Sequence, residues 1–251
     1  EENLAMIRDT VTFLRGEGRR VFLDAEHFFD GYRLDRAYAL ECVRAAAESG
    51  AEVVALCDTN GGMLPAQVAD VVRDVLDATG ARVGIHCHND TGCAVANSMA
   101  AVDAGATHVQ GTVNGYGERT GNANILTLVS NLQIKQGMPL LEPRRLREAT
   151  RISHAISEVT NVPPYSRQPY VGSSAFAHKA GLHASALKVD PDLYQHTDPG
   201  LVGNAMRTLV SDMAGRASIE LKAKEMGVDL SDQSELVAAV LAEVKELELR
   251  G

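Results

Sequence analysis

The sequence predicts an α/β protein of the (β/α)8 TIM-barrel type, with only the last four βα units present and a C-terminal helical subdomain behind them. Three observations predict it. Four short apolar runs, "VFLDAEHF" (21–28), "VVALCDT" (53–59), "VGIHCHND" (83–90) and "HVQGTVNG" (108–115), alternate with helix-period segments, which means a parallel sheet with right-handed crossovers. Polar residues gather after each run, at the end where barrels and open parallel sheets carry their sites. No glycine-rich phosphate loop follows the first run and no switch point is evident, so a barrel is preferred to an open sheet.

The intervening helices follow from spacing. Val68, Val71, Val72, Val75 and Leu76 make one apolar stripe, and Ala39, Cys42, Val43, Ala46 and Ala47 repeat it. Each helix stops near a glycine (Gly50, Gly80, Gly105), where a left-handed cap is cheap. Residues 1–142 are therefore read as the C-terminal half of a catalytic barrel and 143–251 as a loop-rich helical subdomain. There the strands are expected to stop. One helix opens at Pro143 and ends before Pro163 and Pro164, and two more lie near 207–226 and 233–249.

Bulk composition narrows the function. The chain has 251 residues, is 45% hydrophobic and carries a formal net charge of −9, so neither nucleic acid nor an anionic membrane is the expected partner. No apolar run reaches the roughly 18 residues a membrane span needs. Cys42, Cys57, Cys87 and Cys93 form no C-x-x-C, which suits a reduced, cytoplasmic protein. The chain opens on Glu1 in a helix-like pattern and closes inside another, so both ends are expected to be cuts in a longer protein.

The stretch "GIHCHNDTG" (84–92) carries the sharpest chemical signal. Residues i and i+2 of a strand point to one side, so His86 and His88 project together, with Asp90 if the strand continues. Two imidazoles at a strand mouth suit a divalent metal; the bland alternative is a pair of structural histidines bonded to backbone. Asp24 and Glu26 share a face of the first strand, and Glu26 is a candidate general base or metal-site partner, or else the ion-pair partner of a neighbouring Lys or Arg. In "NGYGERTGNAN" (114–124), Asn122 or Asn124 suits a helix cap, and Asn122 also offers an amide oxygen to a metal. Glu118 and Arg119 are placed to pair with other strand ends. In "AFAHKAGLHASA", His178 and His183 flank Lys179, and Tyr194 and His196 follow; such a group supplies proton transfer or is plain surface.

"GIHCHNDTGCAVANS" followed by "VQGTVNGYGERTGNANI" resembles the DRE-TIM metallolyase superfamily, in its Claisen-condensing branch of 2-isopropylmalate, homocitrate and citramalate synthases. "FLDAEHFFDGYR", "LCDTNGGMLP", "PYVGSSAFAHKAGLHASA" and "DPGLVGN" look closest to the citramalate synthases. The resemblance implies an acyltransferase that condenses acetyl-CoA with pyruvate to (R)-citramalate, toward isoleucine. Its neighbours in chemistry are 2-isopropylmalate or homocitrate synthase acting on another 2-oxo acid, or a lyase or aldolase of the HMG-CoA-lyase kind. It implies His86, His88 and Asn122 as ligands of Mn2+, Mg2+, Zn2+ or Co2+, Thr59 and Glu118 as substrate-binding, and Glu26, His183 and Tyr194 as catalytic. It also implies a homodimer. Family members begin with a strand ending in an Arg-Asp-Gly signature that is lacking here, so the 251-residue piece alone is expected to be inactive.

Overall fold

The computed structural model describes residues 1–178, 181–209, 215–230 and 232–250. The chain divides into two compact units, Glu1–Gln136 and Gly137–Gly251.

The first unit runs α1 (Glu2–Gly16), β1 (Phe22–Ala25), α2 (Phe28–Leu34), α3 (Arg36–Glu48), β2 (Val53–Asp58), α4 (Pro65–Thr79), β3 (Val83–Cys87), α5 (Ala94–Asp103), β4 (His108–Gln110) and α6 (Ile125–Ser130). The four strands form one parallel sheet in the order β1-β2-β3-β4. Every residue of β2 is buried, as a strand covered on both faces should be. Leu56 and Ile85 pack with Leu40 and Val43 of α3, Val68, Val72 and Val75 of α4, and Leu128 of α6. Each such side chain, fully buried, contributes about 1.5–3 kcal/mol of transfer free energy. The helix starts are chemically marked. Asp35 accepts from Tyr38 N at 3.0 Å, the Gln67 side chain accepts from Leu64 N at 3.1 Å, and Asn124 accepts from Leu126 N at 3.1 Å. Asn124 is thus the cap, and Asn122 is left for other work.

The strands are shorter than the apolar runs. His27, in a left-handed conformation (φ 54°), turns the chain, and α2 begins at Phe28. β3 stops at Cys87, so His88 lies beyond it, held by an isolated bridge to Asn122. Asp90 does not continue the strand.

The second unit comprises α7 (Pro143–Leu146), α8 (Ala149–Thr160), β5 (Ala177–His178), α9 (Gly181–Val189), β6 (Arg207–Thr208), α10 (Arg216–Glu225) and α11 (Ser234–Arg250). Three expectations are corrected. The helix from Pro143 is broken between Leu146 and Ala149. Strands do not stop at 143, because β5 and β6 pair in parallel. The helix expected from 207 begins at Arg216, since Arg207 and Thr208 are strand. Ile219, Ala223, Leu230 and Val237 form a small core. Among the described residues, no helix is long and apolar enough to cross a membrane.

Candidate metal and active site

The C-terminal ends of the four strands bring the first unit's predicted polar residues together. The His86 and His88 rings lie 5.3 Å apart, centre to centre, tilted by 48°. His86 Nδ1 lies 2.8 Å from Gln110 Oε1. His88 Nδ1 is buried and has no hydrogen-bond partner among the described residues. Burial, then the neighbouring His86, hold the His88 pKa below the ordinary histidine value, which favours the neutral form a metal needs.

Asn122 is aimed by its own loop. Its Nδ2 donates to Tyr116 O at 3.0 Å, which fixes the amide's orientation and leaves Oδ1 buried and, among the described residues, unpartnered. Native structures seldom leave buried polar atoms unpaired. Here one nitrogen and one amide oxygen are orphaned on the two residues that bridge the strand end. A donor set of two imidazoles and an amide oxygen fits a divalent cation. No cluster of three or more His, Cys, Asp or Glu side chains stands ready as a metal cage among the described residues.

Glu26 and Thr59 meet directly. Thr59 Oγ1 donates to Glu26 Oε2 at 2.7 Å and accepts from His27 N at 2.8 Å. Among the described residues, Glu26 is therefore partnered by a hydroxyl and not by a lysine or arginine. The thiols nearby are out of play. Burial, then the carboxylates of Asp24 and Glu26, push Cys57 up to about 12, and burial does the same for Cys87.

Arg119 ties three strand ends. Its Nε and Nη2 grip Asp90 at 2.8 and 3.0 Å, and Nη2 also donates to Thr59 O at 2.7 Å. Arg119 sits at φ 56°. Glu118 is largely exposed, 4.0 Å from Arg119, and lies apart from the histidine pair's hydrogen bonds.

In the second unit, His183 stacks on Tyr194 with ring centres 4.0 Å apart, and His178 lies 6.1 Å from His183. His178 Nε2 is buried without a partner among the described residues. Burial, then His183, lower its pKa. His196 stacks on Phe176 instead, and Lys179 falls outside the described residues. Sequence reasoning missed Gln110 altogether. The available signal was its i+2 spacing from His108 on one strand face.

The Asp90–Arg119 fork carries a pH prediction. The Arg119 hydrogen bond holds the Asp90 carboxyl below the usual carboxylate range. A depressed folded pKa adds stability that is present above the unfolded value, about 3.9, and is lost as pH falls through the folded value. The melting-temperature difference between wild type and Arg119→Gln should therefore be constant from neutral pH to about 5 and shrink below about 4. A difference unchanged down to pH 2 would assign the effect of Arg119 to packing.

Comparison with known proteins agrees with this architecture. A family model described as HMGL-like matches residues 1–154, more than half of the chain. The chain belongs to the HMGL-like family. In this HMGL-like chain, a second model, described as "Homocitrate synthase post-HMGL domain-like", matches residues 170–251. An "(R)-citramalate synthase" of Streptomyces coelicolor is 68% identical over 251 residues, covering 100% of this chain and 47% of the relative. One of Synechocystis is 49% identical over 258 residues, with 100% and 47% coverage. The chain thus spans about half the length of the curated relatives it matches. Among solved structures, an HMG-CoA lyase of Bacillus subtilis superposes with a TM-score of 0.50 at 23% identity, covering 65% of this chain and 57% of that one. That likeness bears on the fold alone.

Proposed function

We propose that this chain is part of a divalent-metal-dependent acyltransferase that condenses acetyl-CoA with pyruvate to (R)-citramalate, with 1–142 as the C-terminal half of the catalytic barrel and 143–251 as its helical subdomain. The observation that carries the reading is the convergence of His86, His88 and the Asn122 amide at one strand end, with orphaned donor atoms on the last two. The two named relatives support the choice of reaction.

His86, His88 and Asn122 would hold the cation, which supplies polarisation of the keto-acid carbonyl and charge neutralisation as that oxygen becomes an alkoxide. Glu26 takes the methyl proton of acetyl-CoA; before substrate binds, the Thr59 hydroxyl holds its Oε2. The resulting enolate carbon bonds to the ketone carbon of pyruvate, and the alkoxide is protonated. Water then cleaves the thioester, giving citramalate and CoA. His183 and Tyr194, stacked on one another, are the proton-handling pair, and Thr59 and Glu118 bind the keto acid. The reading includes a cytoplasmic homodimer. The four free cysteines suit that compartment.

A chimera tests the proposal. This chain replaces the matched segment of the Streptomyces coelicolor relative, and CoA thiol release is followed with a panel of 2-oxo acids. Release that needs acetyl-CoA, pyruvate and Mn2+ together is the expected result. A folded chimera that prefers 2-oxoisovalerate or 2-oxoglutarate would move the reading to 2-isopropylmalate or homocitrate synthase. One that cleaves HMG-CoA would make it a lyase.

A further inference from the structure

Asp24 and Gln110 meet across the sheet. β1 and β4 are its two outer strands. In a flat sheet, three strand spacings would hold them about 14 Å apart. Here Gln110 Nε2 donates to Asp24 Oδ1 at 2.7 Å. One pleat earlier, the Phe22 and His108 rings lie 5.2 Å apart, centre to centre. The sheet curls far enough for its outer strands to touch through side chains on its concave face. His86 and Gln110 are register partners on β3 and β4, which puts the 2.8 Å contact between His86 Nδ1 and Gln110 Oε1 beside the contact to Asp24.

These contacts form a directed chain. A carboxylate only accepts, so Gln110 must turn its NH2 toward Asp24. That leaves the amide oxygen facing His86, and an amide oxygen also only accepts. Nδ1 of His86 must then carry the proton. In a neutral imidazole the lone pair is then on Nε2. We propose that Asp24, through Gln110, sets the tautomer of His86, keeping its proton on Nδ1 and presenting Nε2 to a divalent cation. The two are positioning residues; neither touches the cation. The proposal rests on the reading of His86 as a metal ligand, and ligating histidines are commonly oriented by a partner on the other ring nitrogen.

The test is made on the metal-free 251-residue chain by long-range 1H–15N correlation of the imidazoles at about pH 8, where an unperturbed histidine is neutral. The wild-type protein should show His86 with a pyrrole-like Nδ1 and a pyridine-like Nε2. Asp24→Asn lets the Gln110 amide turn over, so His86 should move to a mixture or to the opposite tautomer. In the double variant Asp24→Asn/Gln110→Glu, the new asparagine donates to the new glutamate, which again accepts from Nδ1–H. The wild-type signature should return. Mn2+ affinity by titration calorimetry should fall roughly 10–100-fold in the single variant and recover in the double. A simple strand staple would leave the tautomer unmoved. Wild-type His86 protonated on Nε2, or a tautomer unchanged by Asp24→Asn, would overturn the proposal. Expected tautomers throughout with no Mn2+ uptake by the wild type would uphold the relay and overturn the metal reading instead.

Discussion

His88→Ala should abolish measurable Mn2+ binding while leaving the metal-free protein about as stable as before. Loss of a direct ligand should weaken binding by more than the roughly 10–100-fold typical of losing an outer-shell partner. The stability half follows from the orphaned nitrogen. A buried polar atom without a partner costs about 1–3 kcal/mol, and among the described residues His88 Nδ1 has none. Alanine removes that penalty along with the ring's packing, so the net change should stay within about 1 kcal/mol. A histidine kept for structure behaves in the opposite way, because its removal breaks a satisfied hydrogen bond. Titration calorimetry with Mn2+ and thermal unfolding of the metal-free proteins measure the two halves. Unchanged affinity, or a large fall in melting temperature, would remove His88 from the site.

Gly121→Ala should be among the most damaging single-methyl additions in the first unit. Gly121 sits at φ +90°, and a Cβ there would lie 2.0 Å from Gly115 O. That same carbonyl accepts from Asn122 N at 3.0 Å, so relieving the clash breaks the bond that places the Asn122 amide. Backbone strain and the lost bond together should cost about 2–4 kcal/mol. For a chain of this size the melting temperature should fall on the order of 5–15 °C. Gly92→Ala is the control. Gly92 also has a positive φ, +75°, but nothing lies within 4 Å of its added Cβ, so only the backbone penalty applies, about 1 kcal/mol. Thermal unfolding of both variants decides the matter. Equal losses would mean that the close approach at Gly115 is not what holds the loop.

The alternation of strands and helices was legible because burial imposes a period. The stripe of Val68, Val72 and Val75 on α4 and the wholly buried β2 are the pattern and its outcome. The strand ends were less legible. His27 and Arg119 adopt left-handed backbone without being glycine, and no local preference announces that. In the second unit, the break after Leu146 coincides with a tertiary contact. A Cβ on Gly203 would lie 1.9 Å from Arg147 O, and Thr150 Oγ1 donates to Val202 O at 2.8 Å. Contacts some fifty residues away do not appear in helical periodicity. The pairing of β5 with β6 spans only two residues on each side, too few for any alternation to show. Among site residues, His86 and His88 stood out through i+2 spacing alone. Gln110 did not, since its partner Asp24 lies 86 positions away.

The Thr59 hydroxyl has a single hydrogen, and in this structure it is spent on Glu26. In the proposed reaction, a keto-acid carboxylate that claimed it would take it away from Glu26 Oε2, which accepts it here. On that reading, arrival of the electrophile would release the glutamate's oxygen, so that acetyl-CoA would meet an unencumbered carboxylate only once there is something for the carbanion to attack.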